Sequence, residues 1–177
     1  QEDRFIYLPP GMNEKCRRPA DAEAIRERKR AELGLNKDQL MLILVGSDFH
    51  RKGGDRAILA LAALMQDIRR KTMLYLVGKT SFQHCSSLAK QLKISTNIIF
   101  AGGRMDVPEL LLAADLMIHP ARDEATGTVL IEGIAAGLPV LCSEECGFSN
   151  FVREASGLVV PKDAPQSVLN AMLADAL

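Results

Sequence analysis

The sequence predicts an α/β domain built on a doubly wound parallel sheet of six strands. Six short, nearly unbroken apolar runs lie along the chain, as strands covered on both faces require. Segments with apolar residues at three- and four-residue spacing separate them, and that period belongs to helices packed on a sheet. Polar loops follow several of the runs, at the strand carboxyl ends where sheets of this kind bind their ligands.

In chain order, Phe5 to Gly11 is extended and stopped by prolines, and Ala20 to Leu33 is a highly charged helix ending at Gly34. Residues 1–38 therefore read as an interdomain linker with a charged helix, and residues 39–177 as the domain it enters. Leu40 to Val45 is the first strand, followed by a helix from Asp55 to Ile68 and a strand from Met73 to Val77. Phe82 to Leu92 is helical, Asn97 to Phe100 is a strand, Val107 to Ala113 is helical and Leu116 to His119 is a strand. The last units are a helix from Thr128 to Ala136, a strand from Pro139 to Leu141, a helix from Ser149 to Glu154 and a strand from Leu158 to Val160. Gln166 to Leu177 is amphipathic but has neither a cap nor a following partner, as expected of a piece of a longer protein.

Composition removes several classes of function. The chain has 177 residues, 47% of them hydrophobic, enough for one core without staples. Its 22 basic and 22 acidic residues balance, so no overall field draws it to nucleic acid or to an anionic membrane. The longest apolar runs are strand-sized and too short to span a bilayer, and the first residues carry no signal-peptide pattern. Cys16, Cys85, Cys142 and Cys146 are irregularly spaced, which favours reduced thiols in a cytoplasmic protein over a disulfide framework. The three histidines, His50, His84 and His119, are scattered and supply no ligand set, so no metal is assigned.

The most informative stretch runs from Asp123 to Val140. Glu124 and Glu132 bracket a small-residue segment that opens a helix, and Gly137-Leu138-Pro139 then launches a strand. Free backbone N–H groups and the positive end of the helix dipole favour an anion there, while flanking carboxylates can hydrogen-bond the hydroxyls of a sugar attached to it. A second loop, Gly46 to Gly54, follows the first strand and carries Arg51 and Lys52. At that position Arg51 can make a bidentate contact with a diphosphate and Lys52 can act as a point charge. The glycines fit neither G-x-G-x-x-G nor a P-loop. Nor is there a D-x-D pair to hold a metal-bound diphosphate, so metal-independent chemistry is expected. After the third strand, the Gly102-Gly103 turn can cap a base, Arg104 can stack on it or bind phosphate, and Asp106 is placed to N-cap a helix with Glu109 at its third position. His119 reads as a structural strand-end histidine, because no serine or cysteine nucleophile pairs with it, and Arg122 and Asp123 read as solvated.

Glu124 through Glu132, the following Ala136-Gly137-Leu138-Pro139-Val140, and the Gly46 to Lys52 loop resemble the C-terminal donor-binding domain of retaining glycosyltransferases of family 4, which have the two-domain GT-B fold. The resemblance spans nearly the whole chain and implies a Rossmann-like domain. Gly46-Ser47-Asp48-Phe49, Arg51-Lys52-Gly53 and His119-Pro120-Ala121 are similar to those of the family's glucosyltransferases that act on an inner-core heptose of lipopolysaccharide. Carried onto this sequence, the resemblance gives Glu124 the donor-sugar hydroxyls and Glu132 the ribose. It gives Arg51 and Lys52 the leaving diphosphate. Backbone amides around Ala125, Thr126, Gly127, Thr128 and Val129 would hold sugar and phosphates, with Gly46 in the first loop. Arg104 and Met105 would line the base, with Val77 and Gly78 nearby.

The same resemblance implies UDP-glucose as co-substrate with no cofactor or metal. It further implies retention through an oxocarbenium-like state, and a glycan or glycolipid acceptor. The N-terminal domain that supplies acceptor contacts is missing from this sequence, so the chain alone is expected to bind donor weakly and not to transfer sugar. A cytoplasmic location is expected, and peripheral contact of the full-length enzyme with the cytoplasmic face of an inner membrane is compatible with it. Two alternatives stay open: another GT-B enzyme, an epimerase or phosphorylase, and a non-catalytic nucleotide-sugar-binding module, since fold alone does not prove activity.

Overall fold

A computed structural model describes residues 11–177. The extended segment expected from Phe5 therefore lies, apart from Gly11, outside the described residues. A charged helix α1 (Ala22–Glu32) precedes strand β1 (Leu40–Val45), helices α2 (Gly54–Ala63) and α3 (Gln66–Lys71), and β2 (Thr72–Val77). Then come α4 (Gln83–Gln91), β3 (Ile98–Gly102), α5 (Val107–Ala113), β4 (Leu116–His119) and α6 (Thr128–Ala135). The chain closes with β5 (Val140–Ser143), α7 (Ser149–Glu154), β6 (Leu158–Val160) and α8 (Gln166–Ala176).

All six strands join one parallel sheet in the order β3-β2-β1-β4-β5-β6. Successive side chains of a strand point to opposite faces, so the apolar runs feed two cores. Met41, Ile43, Tyr75, Met117 and Val140 pack on one face with Leu110, Leu111, Leu130 and Val152 from α5, α6 and α7. Leu42, Leu44, Leu74, Leu76 and Ile118 pack on the other with Ile58, Leu61, Ala89, Leu169 and Leu173 from α2, α4 and α8. The strand order reverses between β1 and β4, and the loops leaving those two neighbouring strands face a common crevice.

One helix differs from expectation. Asp55 to Ile68 is not continuous: Leu64, with φ −60° and ψ 149°, leaves α2 in an extended conformation and is buried in the core. The Arg69 side chain fills the gap by donating to the Ala62 carbonyl at 2.7 Å and the Leu64 carbonyl at 3.1 Å. The break thus leaves its carbonyls satisfied.

Helix α1 is docked by charge. Arg26 donates to the carbonyls of Leu112, Ala113 and Ala114 at 3.1, 2.9 and 2.6 Å, at the carboxyl end of α5 where the helix dipole favours a cation. Arg26 and Arg30 both pair with Asp115, whose Oδ2 also accepts from the Met41 N–H at 2.7 Å. Lys29, almost wholly buried, reaches Glu32 at 2.8 Å and Asp106 and Glu109 at 3.0 Å.

Candidate functional site

The loop after β1 is folded tightly because two glycines admit close neighbours. Gly53 has φ +73° and caps α2, and a Cβ on it would lie 2.0 Å from the Pro120 carbonyl oxygen just beyond β4. Gly78, after β2, lies against Gly46 so closely that a Cβ there would be 1.8 Å from the Gly46 carbonyl oxygen. Any larger residue at either place would push the crevice floor apart. Gly46 in turn leaves room for the stem of Lys52, whose Cγ would be 3.2 Å from a Cβ at that position. The Gly46 N–H donates to Val77 O at 2.9 Å, so Val77 contributes its backbone while its side chain stays buried beneath the site.

The loop after β4 is held from several directions. Ser143 Oγ donates to the Ala121 carbonyl at 2.6 Å, and Arg56 Nη1 to that of Pro120 at 3.1 Å. The Gly147 and Phe148 amides donate to the carbonyls of Glu124 and Thr126 at 2.9 and 2.8 Å. Gly147 has to be small, since a Cβ on it would lie 2.1 Å from the Ala125 carbonyl oxygen. The two loops are also joined to each other. The Arg122 amide donates to Arg51 O at 2.8 Å, and the Arg122 guanidinium reaches His50 O at 2.8 Å and both carboxylate oxygens of Asp55 at 2.7 Å. Expected to be solvated, Arg122 is instead the tie across the crevice. Although burial opposes it, that guanidinium holds the Asp55 carboxyl below the ordinary aspartate range.

The joined loops bring Lys52 and Glu124 into direct contact as an ion pair, with only 9% and 8% of each residue exposed. Burial first, and the Arg51 guanidinium second, pull Lys52 below its ordinary lysine value. The carboxylate touching it works in the opposite direction and favours the ammonium form. Arg51 is more open: it lies 3.7 Å from Asp48 Oδ2 and donates to the Asp123 carbonyl at 3.3 Å. Beyond Glu124, Gly127 takes φ +85° and begins α6 without a side-chain cap. Among the described residues, the amides of Ala125, Thr126, Gly127, Thr128 and Val129 donate to no backbone or side-chain acceptor in the chain. Five unused N–H groups at a helix start, beside two cations, have the chemistry to receive an anion.

Glu132 lies in the second turn of α6. It is half-buried and faces the segment just before the 3-10 turn Glu14–Cys16. Burial raises its carboxyl above the ordinary glutamate value while a hydrogen bond from the Asn13 backbone works against that rise. Asn13 carried no signal in the sequence.

The segment after β3 departs from expectation in one respect. Asp106 occupies the N-cap position of α5 but its side chain makes no cap hydrogen bond. The carboxylate instead holds Arg104, at 2.8 Å from Nε and 2.6 Å from Nη2, and Lys29 at 3.0 Å. Two charged partners outcompete a neutral amide for a partly buried carboxylate. Arg104 is thus fixed along the rim, next to Met105, which is 96% exposed. The turn continues the crevice: Gly78 N donates to Gly102 O at 2.8 Å, and Gly103 lies under the side chain of Lys79.

Among the described residues, no group of three or more His, Cys, Asp or Glu side chains is arranged to hold a metal ion. All four cysteines are free and buried.

Known proteins resemble the chain in sequence and in fold. The family described as Glycosyl transferases group 1 matches residues 25–174. The lipopolysaccharide glucosyltransferase WaaG of Escherichia coli (strain K12) is 42% identical over 178 residues, covering all of this chain and 48% of WaaG. A D-inositol 3-phosphate glycosyltransferase of Nocardia farcinica is 35% identical over 170 residues, covering 89% of this chain and 36% of the relative. A crystal structure of WaaG, a glycosyltransferase involved in lipopolysaccharide biosynthesis, superposes with a TM-score of 0.93 at 40% identity, over 99% of this chain and 48% of that one. Anabaena HepE, solved in complex with UDP and glucose, shares the fold with a TM-score of 0.80 at 21% identity, over 93% of this chain and 45% of HepE. The chain therefore spans about half or less of the length of these relatives. With the E-x7-E segment and the basic pair lodged at the switch point of a GT-B-type sheet, and the family match running over most of the sequence, the chain belongs to the group 1 glycosyl transferases.

Proposed function

We propose that this chain is the donor-binding half of a retaining, metal-independent glycosyltransferase. It takes a hexose, glucose from UDP-glucose, to a lipopolysaccharide core heptose or a similar glycan or glycolipid acceptor. The observation that carries the reading is the row of five unused amides from Ala125 to Val129 beside Lys52 and Arg51. The reading also draws on the name of the E. coli relative, a lipopolysaccharide glucosyltransferase.

In this reading the diphosphate lies against the α6 start, with Arg51 and Lys52 opposite. As the glycosidic bond breaks, negative charge gathers on the diphosphate oxygens, and these fixed donors stabilise it without reorganising. Glu124 accepts from hydroxyls of the donor sugar, and Glu132 accepts from the ribose. Gly46, Gly78 and the backbone at Val77 shape the floor, while Arg104 and Met105 lie along the base. An N-terminal domain of the same enzyme brings the acceptor, and catalysis waits on that second half. A cytoplasmic location at the inner membrane fits such an acceptor. Among the described residues no helix is long and apolar enough to cross a membrane.

Calorimetric titration of UDP-glucose into the protein and into its Glu132→Ala variant tests the reading. Saturable millimolar-or-better binding that Glu132→Ala weakens is the expected outcome. Equal binding to both forms removes the ribose assignment, and no binding to the unmodified protein at millimolar donor removes the donor site.

A further inference from the structure

His119 is poorly matched to its surroundings. It ends β4, is wholly buried, and among the described residues neither of its ring nitrogens has a hydrogen-bond partner. A leucine would fill the same space without stranding two polar atoms away from water. Its backbone is fixed: it pairs with Cys142 of β5, and its carbonyl accepts a weak bond from Cys146 Sγ at 3.9 Å. The ring is aimed at the site, with Nε2 3.6 Å from Glu124 Oε2, just outside hydrogen-bond reach. That same oxygen is the one that Lys52 contacts.

Glu124 Oε2 therefore has two suitors, one of which has another task. Resting on the donor-site reading above, we propose that His119 is a positioning residue for Glu124. When a nucleoside diphosphate sugar draws Lys52 onto its phosphates, the His119 Nε2–H takes over the vacated Glu124 oxygen and keeps the carboxylate aimed at the sugar. The hand-over needs the carboxylate to move by only a few tenths of an ångström, given the 3.6 Å starting separation. No proton is transferred; one ion pair opens and one hydrogen bond closes.

The electrostatic setting suits a donor that never titrates. Burial first, then Lys52 and Arg51, lower the imidazole to about 3. The groups around it are those two cations, Glu124, and the thiols of Cys142 and Cys146. A neutral ring carries one N–H, and with that proton on Nε2, the nitrogen facing the carboxylate, the hydrogen bond to Glu124 is available at every physiological pH.

The test compares UDP with UDP-glucose by calorimetry, in the unmodified protein and in Glu124→Gln, His119→Leu and His119→Gln, with a thermal melt of each. The expected result for His119→Leu is an unchanged or higher Tm and UDP affinity within about twofold of the parent. UDP-glucose binding should weaken about tenfold, the scale of one hydrogen bond to a charged group. The loss should be the same at pH 6 and pH 8, and His119→Gln, which restores a neutral donor, should recover most of it. Equal weakening of UDP and UDP-glucose by His119→Leu would mean that the ring only packs, and the proposal falls. It falls as well if His119→Gln is as impaired as His119→Leu, or if the loss follows a titration. Should Glu124→Gln weaken UDP-glucose while His119→Leu does nothing, His119 alone is excluded and the donor site stands. If the unmodified protein binds neither ligand, the donor site itself is overturned and His119 with it.

Discussion

Gly53 lies directly beneath Pro120: a Cβ on the glycine would be 2.0 Å from the proline carbonyl oxygen, and the glycine backbone has φ +73°. Both facts forbid a side chain, one by steric overlap and the other by backbone strain. Gly53→Ala should destabilise the protein by about 3 kcal/mol, within the range of strained and overpacked substitutions. A urea midpoint close to that of the parent would show that the loop after β4 yields easily, and with it that the crevice is not rigidly set.

Lys52 is expected to serve stability and turnover through different partners. Lys52→Met leaves Glu124 buried without its cation, which should cost about 3 kcal/mol of stability. Adding Glu124→Gln removes the orphaned charge and should return most of that loss, a coupling measurable as a double-mutant cycle in urea. Turnover by the full-length enzyme should not return. Loss of one preorganised group facing the departing diphosphate lowers it by about 10² to 10³ in the single variant, and the double variant, which also gives up the Glu124 contact with the sugar, falls further. Recovery of activity together with stability would place Lys52 outside the chemistry.

The Asp106 carboxyl, held well below the usual aspartate range first by Arg104 and then by Lys29, makes a prediction about acid. A carboxyl whose folded value is depressed contributes stability that is present above its unfolded value of about 3.9 and is lost as pH falls below it. Asp106→Asn should therefore be less stable than the parent by about 1 to 2 kcal/mol at pH 7, allowing for partial exposure to solvent. The gap should close between about pH 4 and pH 2. Urea midpoints at pH 7, 5 and 3 read it directly, and a gap that widens toward acid would reverse the sign of the argument.

Thiol chemistry tests the packing. Burial, with a smaller push from the Glu132 carboxylate, raises Cys16 to about 11, and burial followed by Asp55 raises Cys85 to about 11. Both should remain protonated and closed to iodoacetamide at pH 8 in the native protein, then alkylate fully in guanidinium, as mass spectrometry would show. Rapid labelling of Cys85 in native buffer would mean that α4 opens readily from the sheet.

How much of this could be read in advance depended on the range of the interaction. The strands were legible because Leu40 to Val45 and its counterparts must be apolar on both faces, a requirement written in consecutive residues. The E-x7-E segment and the Arg51-Lys52 pair were legible for the same reason, being local in the chain. Leu64 misled because an apolar residue at helical spacing looks the same whether it continues a helix or leaves it to enter the core. Arg122 and Asp55 were missed because their contact joins positions 67 apart, which no local pattern encodes. Arg104 was read as free to meet a ligand because nothing in the sequence says that Lys29, 77 residues before Asp106, would help to lock Asp106 against it. His119 was correctly placed at a strand end, but that its ring nitrogens lack hydrogen-bond partners among the described residues is visible only in three dimensions.

The position of β1 between β2 and β4 also bears on how the molecule reaches its native state. Arg51 and Asp123 meet although 72 residues separate them, so neither half of the crevice exists until two distant stretches of chain have paired. Such pairing is slow, because loop closure must precede any reward from contact. A nucleotide that recognises only the finished crevice would therefore report the end of folding rather than any earlier stage. Its presence during refolding would slow unfolding without hastening the first strand pairings.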